Sequence, residues 1–280
     1  MSAPQQKLLH ISIVRYDTPI AILSGAISSA VTSFQRLNVC GADAGVTLSI
    51  VDNAPSNSLS AEDLLPLQSH MSAARCELRL IQGHGNEGYG RGHNLAFFSS
   101  RARYHLFMNP DVEVDPNALD TGISYLEANP DVVMVSPLAT GGDGRKQYLC
   151  KRYPTVLDLY LRGLKSLTTL NVMHARLSRY ELQELSDSKP TKNVPIVSGC
   201  FMLCKTSAIN KVGGFDPSYF LYFEDFDLSI RAREEGSLAY VPSMRIKHLG
   251  GDAARKGLKH IKYFCTSGIK FFNSHGWKWI

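Results

Sequence analysis

An α/β fold, with a mostly parallel central sheet flanked by helices on both faces, is what this 280-residue sequence predicts. Two observations point there. Strand-like runs alternate with helix-like runs through the first half. The polar tips of that half fall just past strand ends, where such sheets bind ligands. Composition agrees: 44% of residues are hydrophobic and 20% charged, enough apolar material for a substantial core and too ordinary a charge for disorder.

LLHISIV (8–14) reads as a buried strand, and Pro19 opens a helix-like run to Phe34. VTLSIV (46–51) is a second strand, ending at the turn cluster Asp52, Asn53, Ala54, Pro55, Ser56, Asn57. A helix follows from Ser60, then strands ELRLIQ (77–82) and YHLFM (104–108), a helix over 119–128 and the strand VVMVS (132–136). The second half reads differently. Residues 153–184 are mixed helix with many basic side chains, and 194–204 are strand-like. Residues 224–235 are helical, and LAYVP (238–242) is a short strand. From Lys259, the apolar residues Ile261, Phe264, Cys265, Ile269 and Phe272 form a helical stripe with Lys259, Lys262 and Lys270 alongside.

The net charge is only +5, but its distribution is uneven. Basic residues gather between Gly141 and Lys192, among them Lys151, Arg162, Lys165, Arg176 and Arg179. They gather again after Gly251, where Arg255, Lys256 and four further lysines face one acid, Asp252. A basic face meets phosphates of lipid, nucleic acid or nucleotide. The six cysteines (Cys40, Cys76, Cys150, Cys200, Cys204, Cys265) form no CxxC pair, and Cys200/Cys204 has no histidine at finger distance. They read as thiols in a reducing compartment. MSAPQQKLLH lacks a basic segment followed by an apolar run, and the uncharged stretch 20–35 is too short and serine-rich to span a bilayer. The expected location is the cytoplasm, either soluble or docked at the inner face of the cell membrane.

Three motifs carry chemistry. Gly83-His-Gly85-Asn-Glu-Gly88 matches a dinucleotide fingerprint. It follows the third strand rather than the first, and Arg103 stands where a ribose-binding acid is expected. Its glycines read better as a loop that approaches a ligand closely, or as a plain mobile loop. Asn109-Pro110-Asp111-Val112-Glu113 places a carboxylate past a buried strand, where a hard cation on a diphosphate would need one; the plainer reading is a turn. Glu224, Asp225 and Asp227 open a helix after a glycine turn and the aromatic loop Tyr219, Phe220, Tyr222, Phe223. Helix-dipole compensation accounts for such acids singly, and for Asp227 in particular. His248 precedes Gly250-Gly251 and joins the acids only if the fold brings it to them.

Together, ISIVRY, SIVDNAPSN, GNEGYGRGHNLAF, LFMNPDVEV, the block from Val197 to Gly236 and YVPSMRIKHLGG resemble the family 2 inverting glycosyltransferases, in their bacterial rhamnosyltransferase-like branch. The resemblance implies a GT-A, Rossmann-like fold with a C-terminal acceptor-binding portion. Residues 1–258 would form the transferase domain, 1–136 binding the nucleotide-sugar and 137–258 the acceptor and catalytic half, with 259–280 a basic amphipathic tail. It implies donor contacts from Asp52, Asn94 and Asn109, Mg²⁺ or Mn²⁺ on Asp111 and His248, and Asp225 as catalytic base with Glu224 beside it. The first strand ends in VRYDTP rather than Thr-Tyr-Asn, which leaves the roles of Arg15 and Asp17 open. The expected reaction moves L-rhamnose from dTDP-L-rhamnose to a glycan or lipid-linked acceptor, with no nucleic-acid partner. A UDP-hexose donor is the alternative, then a non-catalytic scaffold of glycan assembly, then a nicotinamide oxidoreductase built on 83–88. The basic tail reads either as a peripheral dock on an anionic membrane surface or as a core helix with a solvated face.

Overall fold

The computed structural model describes residues 6–37, 45–55, 58–73, 76–163, 171–250 and 257–280. Cys40, Ser56, Asn57, Lys165, Gly251, Asp252, Arg255 and Lys256, named above, lie outside them. The first half contains β1 (Leu9–Arg15), α1 (Ile20–Gln35), β2 (Val46–Asp52), α2 (Ala61–Ala73), β3 (Cys76–Ile81), α3 (Tyr89–Phe97), β4 (Tyr104–Met108), β5 (Val112–Val114), α4 (Ala118–Ala128) and β6 (Val132–Gly141). Then come β7 (Lys146–Gln147), β8 (Cys150–Lys151), α5 (Val156–Gly163), α6 (Asn171–Tyr180), β9 (Thr191–Lys192) and β10 (Ile196–Val197). The chain ends with β11 (Phe201–Lys205), α7 (Thr206–Lys211), α8 (Glu224–Ala232), β12 (Ser237–His248) and α9 (Leu258–His275).

One sheet runs through both halves in the order β3-β2-β1-β4-β11-β6-β12-β5. β3, β2, β1 and β4 pair in parallel, β11 runs against β4 and β6, β12 is parallel to β6, and β5 runs against β12. Six of these eight strands therefore point the same way, as the mostly parallel sheet requires. β1, β2 and β4 are buried along their whole length, which is why they read in sequence as unbroken apolar runs. α1 packs Leu23, Ile27, Ala30 and Val31 into the core on one side. Phe97, Phe107, Phe215 and Leu228 form a second cluster.

Two departures from the sequence reading matter for the site. The apolar run 194–204 is not one strand. It breaks at Ser198-Gly199 into β10 and β11, which join different sheets. The strand expected over 238–242 instead continues to His248 as β12, with a shift of register between Val241 and Arg245.

Candidate active site

The topology brings the chemically interesting residues to one edge. Asp52 ends β2, Asn109 follows β4 and His248 ends β12, and these strands all point the same way. β11 runs in the opposite sense, so its start lies at that edge too, where Asn109 N–H donates to Cys200 O at 2.9 Å.

At this edge Asp111 Oδ1 faces His248 Nε2 at 3.5 Å. β5 holds them in register: His248 pairs with Val112, and Leu249 N–H donates to Asp111 O at 2.9 Å. Gly250 leaves room for the carboxylate, since a Cβ there would lie 2.1 Å from Asp111 Oδ2. Gln147 decides the state of the histidine. Its Nε2 donates to the carbonyls of His248 at 3.1 Å and Gly250 at 3.2 Å, so its Oε1 is the atom 2.8 Å from His248 Nδ1. An amide oxygen only accepts, so Nδ1 carries a proton, and in the neutral ring that leaves the Nε2 lone pair on the side of Asp111. Asn109 Nδ2 lies 3.4 Å from the same Nε2. A carboxylate and an imidazole nitrogen aimed at one space are residues that could hold a divalent cation such as Mn²⁺ or Mg²⁺.

Asp225 is tied to this pair through the backbone. Its Oδ2 accepts from Gly199 N–H at 2.8 Å and its Oδ1 from Phe226 N–H at 3.0 Å. Tyr89 donates its hydroxyl to Gly199 O at 2.5 Å, so Gly199 and Cys200 link the acid to Asn109. Burial raises the Asp225 pKa despite these donors. Glu224, 4% exposed, is raised well above the carboxylate range, first by burial and then by the charge of Asp225. At Asp225 desolvation therefore outweighs the helix dipole. Of the two, Asp225 has the backbone donors that favour an ionised carboxylate.

The loop presenting them is strained. Tyr222 and Phe223 both have positive φ, 70° and 64°, a region bulky side chains rarely enter. α9 braces them. Tyr222 Oη lies 2.9 Å from His260 Nδ1, and Phe223 packs on Phe264 and Phe271 at ring distances of 5.0 and 5.4 Å. Asp227 lies in the first turn of α8, where a helix-dipole role places it, and also accepts from Arg231 at 2.6 Å and binds His275 Nε2 at 2.8 Å, fastening the end of α9.

Two expected donor contacts have structural partners. Asp52 is 1% exposed, pairs with Arg15 at 2.8 Å, and accepts from Ala54 N–H and Leu59 N–H. It shapes the turn after β2, and Arg15 thereby acquires a role. Asn94 lies on α3, its amide bound to both backbone polar groups of Phe215 at 2.8 and 3.0 Å. Sequence reasoning missed Asn53, Tyr89, Gln147 and His260. Asn53 donates to Gly88 O at 2.8 Å and binds His84 at 2.9 Å, fixing the glycine loop. Its place in the Asp-Asn turn was the available signal; the other three depend on distant partners that no local motif announces.

A model of the family described as Glycosyl transferase family 2 matches residues 47–213. The chain belongs to this family. The matched span includes Asp52, the glycine loop, Asn109, Asp111 and Gly199 and stops before α8. Among its family 2 relatives, the N-acetylglucosaminyl-diphospho-decaprenol L-rhamnosyltransferase of Mycobacterium tuberculosis H37Rv is 29% identical over 193 residues, 61% of this chain and 58% of that protein. Rhamnosyltransferase WbbL of Escherichia coli K12 is 30% identical over 173 residues, 57% of this chain and 61% of that protein. The matches thus span about six-tenths of these relatives. Among solved structures, GalNAc-T7 with UDP, GalNAc and Mn²⁺ aligns with a TM-score of 0.63 at 13% identity, over 97% of this chain and 48% of that one. TarS of S. aureus aligns at 0.55 and 11%, over 96% and 43%. At such identities the likeness shows the fold alone, the GT-A fold.

In this family 2 chain the glycine loop is no dinucleotide cradle. It follows β3, the edge strand of the sheet, and a Cβ on Gly88 would lie 2.1 Å from Phe220 O. Its close approach is to the aromatic loop before α8, confirmed by Tyr89 N–H donating to Phe220 O at 3.1 Å.

Proposed function

We propose that this chain transfers L-rhamnose from dTDP-L-rhamnose, with inversion and with a divalent cation, to a glycan or lipid-linked acceptor. The observation that carries the reading is the single edge on which Asp111 Oδ1 and His248 Nε2 face each other at 3.5 Å, tied through Cys200 and Gly199 to Asp225. The choice of sugar draws on the rhamnosyltransferase names of the two curated relatives, and the Mn²⁺ in the GalNAc-T7 structure agrees with a metal. Residues 1–136 would bind the donor and 137–258 the acceptor, with α9 bracing the second part.

Asp111 and His248 would hold Mg²⁺ or Mn²⁺, which offsets the charge growing on the leaving diphosphate. Asp225 accepts the proton of an acceptor hydroxyl as its oxygen attacks the anomeric carbon. The new C–O bond forms on the face opposite the breaking bond to the diphosphate, which leaves with that electron pair. A base so placed contributes roughly 10²–10⁴-fold, and its raised pKa brings it nearer to neutral pH, where a base works best. Arg162 on α5 adds a positive charge whose field reaches Asp225, suited to an acceptor that carries phosphate.

A titration panel tests this. dTDP and dTDP-L-rhamnose should raise the melting temperature with Mn²⁺ and much less without it, and Asp111→Ala should remove the metal-dependent part. Preference for UDP and UDP-hexoses would favour the alternative donor. Metal-independent binding, unchanged in Asp111→Ala, would falsify the metal assignment.

A further inference from the structure

The apolar stripe on α9 divides in the structure. Phe264, Phe271 and Phe272 turn inward to the cluster around Phe223. Leu258, Ile261, Cys265 and Ile269 turn outward, and the three aliphatic ones are 85, 58 and 54% exposed. Spaced three or four residues apart, these four fall on one face of the helix. A helix that already buries one apolar face has no folding reason to carry a second on its outside. The charges flanking this second face have one sign. Lys262 stands at its margin and Lys259, its Nζ 5.9 Å from the centroid of the Tyr263 ring, lies farther round the helix, and residues 257–280 contain no acid. Lys270, by contrast, turns back to Ser218 and Asp216 and does not contribute. Beyond the helix, Trp277 and Trp279 stack at 5.0 Å and remain 42 and 63% exposed, the residue type that settles at membrane interfaces.

We propose that the outward face of α9 docks on an anionic lipid surface, with Leu258, Ile261 and Ile269 entering the headgroup boundary and Lys259 and Lys262 meeting lipid phosphates. The charge favours lipid over a second copy of the chain, because two such faces would bring lysines together with no acid between them. The position gives the docking a purpose. The first turns of α9 touch the loop that presents Asp225, through Tyr222–His260 and the Phe220–Tyr263 ring pair at 4.7 Å. A docked α9 therefore holds the catalytic edge beside the lipid. That consequence rests on the lipid-linked acceptor proposed above, whereas the docking does not.

Co-sedimentation of the full chain with phosphatidylcholine vesicles, with and without phosphatidylglycerol, tests the face. Binding is expected to the anionic vesicles at low salt, weakened by salt. The Ile261→Glu/Ile269→Glu pair should abolish it without lowering the melting temperature, because both side chains are exposed. Lys259→Glu/Lys262→Glu should weaken it by about tenfold or more. Absence of binding, equal binding to neutral vesicles, or binding retained by the isoleucine pair overturns the proposal. So does a dimer, seen by light scattering, that the isoleucine pair dissolves in a chain that ignores vesicles. Loss of metal-dependent nucleotide binding would bear on the proposed function alone.

Discussion

His10, His93 and His105 lie between β1, β4 and α3, and Glu224 and Asp225 open α8 in the other half; both groups are desolvated, but they hold opposite preferences for a proton. Ser12 Oγ bridges His93 Nδ1 at 2.7 Å and His105 Nε2 at 2.9 Å, and His10 Nε2 binds Ser49 at 2.8 Å. Burial lowers His10 to about 4 and His93 to about 3, and moves His105 well down, with help from the other two. Around the carboxylates burial raises both pKa values. Desolvation excludes charge in each place. In the N-terminal half it does so where no chemistry is proposed, so the rings simply stay neutral and packed. In the C-terminal half the proposed mechanism needs one of two acids ionised, and the fold would carry that cost at the proposed site.

The largest expected effect follows from the histidines. Their folded pKa values lie below the unfolded 6.5, so the unfolded chain binds more protons and stability falls with pH. The contribution is complete above pH 6.5 and is lost as pH falls toward 4 and then 3. For His10 alone, a drop from 6.5 to about 4 corresponds to roughly 3 kcal/mol once pH is below both values. The carboxylates act in the other sense: their contribution is present below their ordinary values of 4.5 and 3.8 and is lost as pH rises through the folded ones. Urea unfolding across pH 4 to 8 should show net acid destabilisation. Glu224→Gln should be more stable than the wild type at pH 8, with a gain that shrinks toward pH 4. A pH-independent difference would mean that Glu224 is not held protonated by burial.

Next in size is Asp225→Asn, which should lower turnover by about 10²-fold or more with donor affinity nearly intact, because the base is needed only in the transition state. Glu224→Gln should keep substantial activity. The reverse pattern would move the base to Glu224, and activity in both variants would remove this helix start from the chemistry.

The two halves were unequally legible. β1, β2 and β4 are buried on both faces, so their apolar runs announce them, and the polar residues at their ends mark the ligand edge in advance. The C-terminal half depends on register and distant packing. His248 reaches the edge only because β12 continues past the irregularity between Val241 and Arg245. The 194–204 run hides its break at Gly199, whose close approach to Tyr89 and Asp225 is visible only in three dimensions. Asn94 gives no local sign of its partner, Phe215, which lies 121 residues on. The stripe on α9 was legible as amphipathic, but not that half of it would brace two strained aromatic residues.

The smallest effect concerns Gln147, where a residue without charge controls one that would bind metal. β7 pairs with β6 through Ala139 and Gln147, and this places the amide against His248, itself paired with Gly141 at the end of β6. Two carbonyls orient the amide and leave Oε1 for Nδ1–H. Without it, either ring nitrogen could carry the proton, and the tautomer with Nε2–H would point a hydrogen at Asp111 in place of a lone pair. Losing such a partner typically costs about 10–100-fold in metal affinity. Gln147→Leu should therefore weaken Mn²⁺ by that factor in a nucleoside-diphosphate titration. Gln147→Glu should retain most of the affinity, because a carboxylate still accepts from Nδ1, although it loses the two bonds to backbone carbonyls. His248→Ala provides the reference. If it lowers Mn²⁺ affinity and Gln147→Leu does not, the histidine holds its tautomer unaided; if His248→Ala has no effect, the metal lies elsewhere and Gln147 merely joins β7 to the end of β12.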